Sequence, residues 1–76
     1  AAAQYAEEGK WELVALALER AARIAEFTHD WEGAAKLYRQ AFEQMRRARG
    51  LSMEAERLLD LAEGAERMAE ETGSSA

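Results

Sequence analysis

The chain of 76 residues contains no cysteine and no proline, and it has very few β-branched residues. Without cysteine it can form neither disulfides nor thiolate metal sites, so packing alone must stabilise so short a chain. Alanine, glutamate, leucine and arginine dominate, and these residues favour helices. We therefore predict a single all-α domain, because the β-branched residues are only Val14, Ile24, Thr28 and Thr72.

The chain also lacks an excess of basic residues. Its net charge of −5 argues against binding to nucleic acids and to anionic lipid surfaces, both of which require positive charge. The longest apolar run, Leu13 to Leu18, is far shorter than the roughly 20 residues of a membrane span. No signal peptide or initiator methionine is present, so we expect an excised or processed domain, and the absence of cysteine fits a cytoplasmic protein.

Patterns typical of catalysis and of metal binding are missing too. Glu26-x-x-His29 has the spacing of half a di-iron site, but such a site needs a second pair and His29 is the only histidine. No serine has a plausible base, and we expect the many carboxylates to lie on the solvent sides of helices and not in a cleft. The sequence therefore predicts no enzymatic activity, no metal and no cofactor.

Three helices are predicted, over about residues 10–27, 31–49 and 53–71. Residues 2–8 also favour a helix, either a short separate one that ends at Gly9 or the start of one long helix. Short connections between similar helices predict an antiparallel three-helix bundle with up-down-up topology. The domain would cover residues 1–72, and residues 73–76 would form a disordered tail.

The turns carry helix-capping residues. Asp30 is a good N-cap for the second helix, and Thr28 is an alternative one turn earlier. Gly50 suits the left-handed position after that helix, and Leu51 is placed for the apolar contact that often accompanies it. The next helix is expected to start after Ser52.

One stripe of the second helix alternates large and small side chains. Trp31, Ala34, Tyr38 and Ala41 are separated by three, four and three residues, so they share one side of a helix. This pattern resembles the second helix of tetratricopeptide repeats, which would imply a helical hairpin. We interpret the stripe as the internal packing seam of the bundle and not as a binding surface.

The first and third helices have wide apolar faces. The first is apolar over roughly 200° of its circumference, and the third over roughly 180°. The first helix should turn a charged strip to solvent, and one edge of the third should stay open for a partner. The charged strip consists of Glu12, Glu19, Arg23 and Glu26.

The chain as a whole resembles microtubule-interacting-and-transport (MIT) domains, which are three-helix bundles of about this length. Asp30-Trp31-Glu32-Gly33-Ala34 followed by Leu37-Tyr38 is similar to the start of their second helix. Leu58 to Glu63 partly matches the Tyr-Leu-x-Arg-Ala-Glu signature of their third helix. The resemblance implies a module that binds short peptide motifs.

We therefore predict a protein–protein interaction module that docks an amphipathic helix or peptide between helices two and three. Alternatives are a self-associating scaffold bundle, natural or designed, and a fragment of a larger helical-repeat regulatory protein. The basic residues Arg39, Arg46, Arg47 and Arg49 are expected to compensate the helix dipole more than to bind an acidic ligand. The predicted partner-binding residues are Leu37, Ala41, Gln44, Leu58, Leu61, Ala65 and Met68.

Overall fold

The computed structural model describes residues 2–73, with the side chains of residues 9–72, and contains three helices in this range. They are α1 (Ala2–Phe27), α2 (Trp31–Arg49) and α3 (Met53–Gly73). The predicted all-α class and the three-helix bundle are confirmed, and α1 runs through Gly9 as one long helix. Helix α3 extends two residues beyond its predicted end, and the rest of the predicted tail, 74–76, lies outside the described residues.

The central helix α2 connects the bundle. It packs extensively along both α1 and α3, whereas α1 and α3 approach each other much less. Arg49 at the end of α2 reaches Glu12 in the first half of α1, and Tyr38 reaches Glu26 near the end of α1. These contacts show that α1 and α2 are antiparallel.

Helices α2 and α3 are antiparallel too, because Arg39 pairs with Glu66 while the earlier Glu32 lies beside the later Ala69. Because α1 and α3 each have one main neighbour, each presents its opposite side to solvent.

Alanines make up most of the core. The largest fully buried side chains are Tyr38 and Leu58, and small residues surround them. The predicted seam of α2 is confirmed at Ala34, Tyr38 and Ala41, which are all buried, whereas the fourth residue, Trp31, is only half-buried. Small contact residues permit the shorter interaxial distances seen between packed helices. The other buried hydrophobic residues are Ala15, Ala22, Ala35, Met45, Ala55, Ala62 and Ala65.

The first turn is a Schellman motif followed by an N-cap. His29 has φ 64° and donates its N–H to Glu26, while the N–H of Asp30 bonds the carbonyl of Ala25 at 2.8 Å. Asp30 then caps α2, because its carboxylate accepts the N–H of Gly33 at 3.1 Å. The alternative cap at Thr28 is not used, since its hydroxyl bonds back to Ala25. A histidine thus occupies the left-handed position that usually holds glycine.

The second turn follows the prediction except at one residue. Gly50 has φ 71° and donates its N–H to Arg46, and Ser52 caps α3 by accepting the N–H of Ala55 at 3.2 Å. The predicted apolar contact of Leu51 is wrong, because this side chain is 76% exposed. The positive φ of Gly50 turns the chain without that contact.

The predicted solvent strip of α1 is wrong at its centre. Glu19 is only 9% exposed and accepts hydrogen bonds from Arg23 of its own helix and from Arg57 of α3. Burial disfavours its charged form, but the hydrogen bonds and charges of Arg57 and Arg23 outweigh this effect and lower the pKa of Glu19. Glu26 is also half-buried and accepts the hydroxyl of Tyr38. The side of α1 that packs on the bundle therefore carries carboxylates.

Candidate functional site

An open groove of about 540 Å³ lies between the first half of α2 and the second half of α3. Ala35 is buried and Ala69 half-buried, so small side chains leave the space that larger residues would fill. Charged side chains form the remaining lining. They are Glu32, Lys36, Arg39, Glu66 and Glu70.

A two-pronged ion pair crosses this groove. Nε and Nη2 of Arg39 donate to the two carboxylate oxygens of Glu66 at 2.7 and 2.8 Å. The hydrogen bonds from Arg39 lower the pKa of Glu66, and those to Glu66 raise the pKa of Arg39. Both side chains are about half exposed, so the pair fixes geometry more than it stabilises the fold. It holds the facing walls of α2 and α3 in register.

A smaller cleft of about 230 Å³ continues the groove toward the first turn. The two spaces share Glu32 and Ala69. The ring centroids of His29 and Trp31, which both line this end, are 6.0 Å apart. The continuous groove therefore has a charged end at Arg39 and an aromatic end at Trp31.

None of the seven predicted partner-binding residues lines this groove. Ala41, Leu58 and Ala65 are buried in the packing seams, so they cannot form an open groove wall. The difference between the predicted residues and the groove lining has a simple cause. Sequence periodicity identifies an apolar face, but it does not separate the part that a neighbouring helix covers from the part that stays open.

The other four predicted residues lie on different helix edges from the groove. Leu37 and the groove residue Arg39 are two positions apart, which places them about 160° apart around α2. The same spacing separates Met68 from Glu66 on α3, and Met68 is 37% exposed. Leu61 is partly buried on the Met68 edge, and Gln44, on the Leu37 side, has a buried Oε1 without a hydrogen-bond partner.

The residues that do line the groove had only weak signals in the sequence. Ala35 and Ala69 look like ordinary helical alanines, and Glu66 is one acidic residue among many. The pairing of Arg39 with Glu66 depends on the register between two helices, which a single sequence does not provide. The conserved spacing of a known groove motif would have been needed to find it.

All four arginines of the predicted basic cluster have partners within the fold. Arg39 bonds Glu66, Arg46 lies 3.6 Å from Glu43, and Arg49 bonds Glu12 at 2.6 Å. Arg47 lies over the ring of Trp11, with its Cζ 5.6 Å from the ring centroid. The cluster therefore connects α2 to both neighbouring helices.

A second surface of interest is the solvent side of α1, which we call the α1 outer face. Leu13 is 68% exposed, Ile24 66% and Phe27 88%. When each residue advances about 100° around the helix, Leu13 and Ile24 lie about 160–180° from the buried Ala15 and Ala22, and Phe27 lies about 120–140° from them. The α1 outer face consists of Leu13, Leu16, Ala17, Arg20, Ile24 and Phe27, and every one of these residues is exposed.

Two features are absent from the described part of the chain. The side chains of residues 9–72 include no group of three or more metal-binding residues that could hold an ion. No helix within residues 2–73 combines the length and the apolar character needed to cross a membrane.

Comparisons with known proteins do not place the chain in a family. No family model, no curated protein and no solved structure matches it.

Proposed function

We propose that this protein is a non-catalytic interaction module that docks an amphipathic helix or peptide in the groove between α2 and α3. The open space of about 540 Å³ between these two helices is the observation that carries the proposal. The resemblance to MIT domains supports the same mode of binding, and the lack of cysteine is consistent with a cytoplasmic setting. The partner is a protein or peptide, and binding requires no cofactor.

The groove suits a particular kind of peptide. Ala35 and Ala69 let a ligand backbone come close, whereas the apolar lining is too small to hold several large side chains. Glu32 and Glu70 are acidic and Lys36 is basic, so the walls can orient a ligand that carries both signs of charge. We expect a ligand with one apolar anchor near Trp31 and small residues over the alanines.

Filling the groove tests this function. Helical peptides would be selected from a displayed library on the wild-type chain, and their dissociation constants measured by fluorescence anisotropy. The variant Ala69→Arg places a long side chain in the groove, and we expect it to weaken binding by about tenfold or more.

Gly64→Arg is the matched control. It adds the same charge to the same helix, at an exposed position where an added Cβ meets nothing within 4 Å. Circular dichroism would establish that both variants are folded. Equal affinities for Ala69→Arg and wild type, or a library that yields no ligand, would contradict the proposed function.

Self-association is the competing function, because the α1 outer face exposes large apolar side chains. A scaffold bundle or a fragment of a helical-repeat protein would cover that face with another copy or another repeat. Sedimentation equilibrium at about 100 μM chain separates the interaction module from a self-associating scaffold, because a stable dimer would then be populated. We expect a monomer.

A further inference from the structure

The α1 outer face combines exposed hydrophobic residues with a single basic residue at its centre. Arg20 lies midway along the chain between Leu13 and Phe27, and its neighbours one turn away on this face are Leu16 and Ile24. All five side chains are exposed. Large exposed apolar patches that are bordered by polar residues typically mark interaction sites.

The carboxylates of α1 within residues 9–27 do not pair with Arg20. Glu12 bonds Arg49, Glu19 bonds Arg23 and Arg57, and Glu26 accepts the hydroxyl of Tyr38. These three carboxylates lie about 80–120° around the helix from Arg20, and each has its partner elsewhere in the fold. Positions three and four residues from Arg20 hold no acidic residue. Among the side chains of residues 9–72, Arg20 has no ion-pair partner.

A second copy of the chain fits this surface poorly. Two α1 outer faces related by a two-fold axis at the middle of the stripe would bring Arg20 against Arg20 of the other copy. Two like charges would then be buried without a counterion, which is strongly unfavourable. The solvent-exposed side of α3 in a second copy also fits poorly, because its charged residues, such as Glu56, Asp60 and Glu63, would face the leucines of α1.

We propose that the α1 outer face binds an amphipathic helix of another protein that carries an acidic residue at the centre of its apolar stripe. Leu13, Ile24 and Phe27 supply the apolar contacts, and the partner carboxylate pairs with Arg20. A single polar position within an apolar helical interface selects register and partner. This surface is separate from the α2–α3 groove, so the proposal for one site can be disproved while the proposal for the other stands.

The probes are two synthetic helical peptides with leucines along one stripe. They differ only at the central position of that stripe, which is Glu in one and Lys in the other. Anisotropy titrations would give the dissociation constant of each peptide for wild type and for Arg20→Glu. We expect wild type to prefer the Glu peptide by about tenfold and Arg20→Glu to prefer the Lys peptide.

Two further variants complete the test. Arg67→Glu changes the net charge by the same amount on the outer face of α3, and we expect it to keep the wild-type preference. Ile24→Asp should lose both peptides while Ala69→Arg, which fills the groove, retains them. Binding of neither peptide, equal binding of both, or an unchanged preference in Arg20→Glu overturns the proposal. So does a wild-type dimer that Ile24→Asp dissociates, because the occupant would then be a second copy.

Discussion

Helices α1 and α3 flank α2 in the same way, yet they distribute their side chains in opposite senses. Helix α3 follows the usual arrangement, with Leu58 buried and Asp60 and Glu63 in solvent. Helix α1 buries Glu19 in the bundle and exposes Leu13 and Ile24. Both arrangements fold, because the alanines of the seams supply close contact in either case. The outside of α3 is therefore an ordinary charged solvent surface, whereas the outside of α1 exposes large apolar side chains and is the surface for which we propose a further contact.

Apart from truncation of the buried Leu58 side chain, the largest effect should come from placing larger side chains in the seams that α1 and α3 each form with α2. Ala22 of α1 and Ala62 of α3 are fully buried, so Ala22→Leu and Ala62→Leu should each lower the free energy of unfolding by about 1–3 kcal/mol. Ala17→Leu on the α1 outer face is the control and should leave stability nearly unchanged. Urea unfolding followed by circular dichroism measures all three. A large loss for Ala17→Leu would mean that the α1 outer face is packed.

Removal of the buried charge of α1 should have the next largest effect. Glu19→Gln weakens the hydrogen bonds from Arg23 and Arg57, and we expect it to destabilise the fold by about 1–2 kcal/mol at pH 7. Asp60→Asn on the outside of α3 should change stability by less than about 0.5 kcal/mol. Equal effects of the two substitutions would contradict the idea that α1 depends on a buried carboxylate while α3 does not.

The cost of Glu19→Gln should also depend on pH. The folded pKa of Glu19 lies below the ordinary value of 4.5, so its ionised form favours folding above that pH. This contribution is lost as the pH falls through the folded pKa. The stability difference between wild type and Glu19→Gln should therefore shrink on acidification from about pH 5 to about pH 3. A difference that stays constant over this range would show that Glu19 does not act through its charge.

The sequence predicts the helices and the α2 seam because both depend on local features. The Asp30 cap, Gly50 and the spacing of Ala34, Tyr38 and Ala41 all lie within a few turns of one another. The side that α1 turns inward depends instead on Arg57, which is 38 residues from Glu19. Alanines occur on nearly every side of α1, so its sequence offers little contrast between a packed and an exposed face.

The groove is hard to predict for the same reason. Arg39 and Glu66 are 27 residues apart, and only the register of α2 against α3 brings them together. The wide apolar face of α3 predicts that one edge stays open for a partner, but most of that face is buried against α2. The prediction of a binding site between α2 and α3 stays a proposal. The residues that line the groove there are mostly charged residues at the edges of both helices.

Replacing either of two helical glycines by alanine should have a smaller effect on stability, and the two effects should differ in sign. A methyl group on Gly64 of α3 meets nothing within 4 Å, so Gly64→Ala should stabilise the helix by about 0.5–1 kcal/mol. A methyl group on Gly33 of α2 would lie 2.3 Å from the Asp30 carboxylate. Gly33→Ala should therefore displace the N-cap and lose stability, or at best gain none. Thermal unfolding compares the two variants, and equal stabilisation would mean that the Asp30 cap contributes little.

The smallest effect on stability should come from substitution of Ile24, whose exposure distinguishes α1 from α3. Ile24 is 66% exposed, so Ile24→Gln loses little buried apolar surface and should change the free energy of unfolding by less than about 0.5 kcal/mol. Leu58→Ala on α3 is the contrast and should cost about 2–5 kcal/mol, because Leu58 is fully buried. If Ile24→Gln lowers the free energy of unfolding as much as Leu58→Ala does, the α1 outer face is buried in the folded core or in a stable oligomer. A negligible loss would show that Ile24 has no large role in folding, as the proposed binding role of the α1 outer face requires.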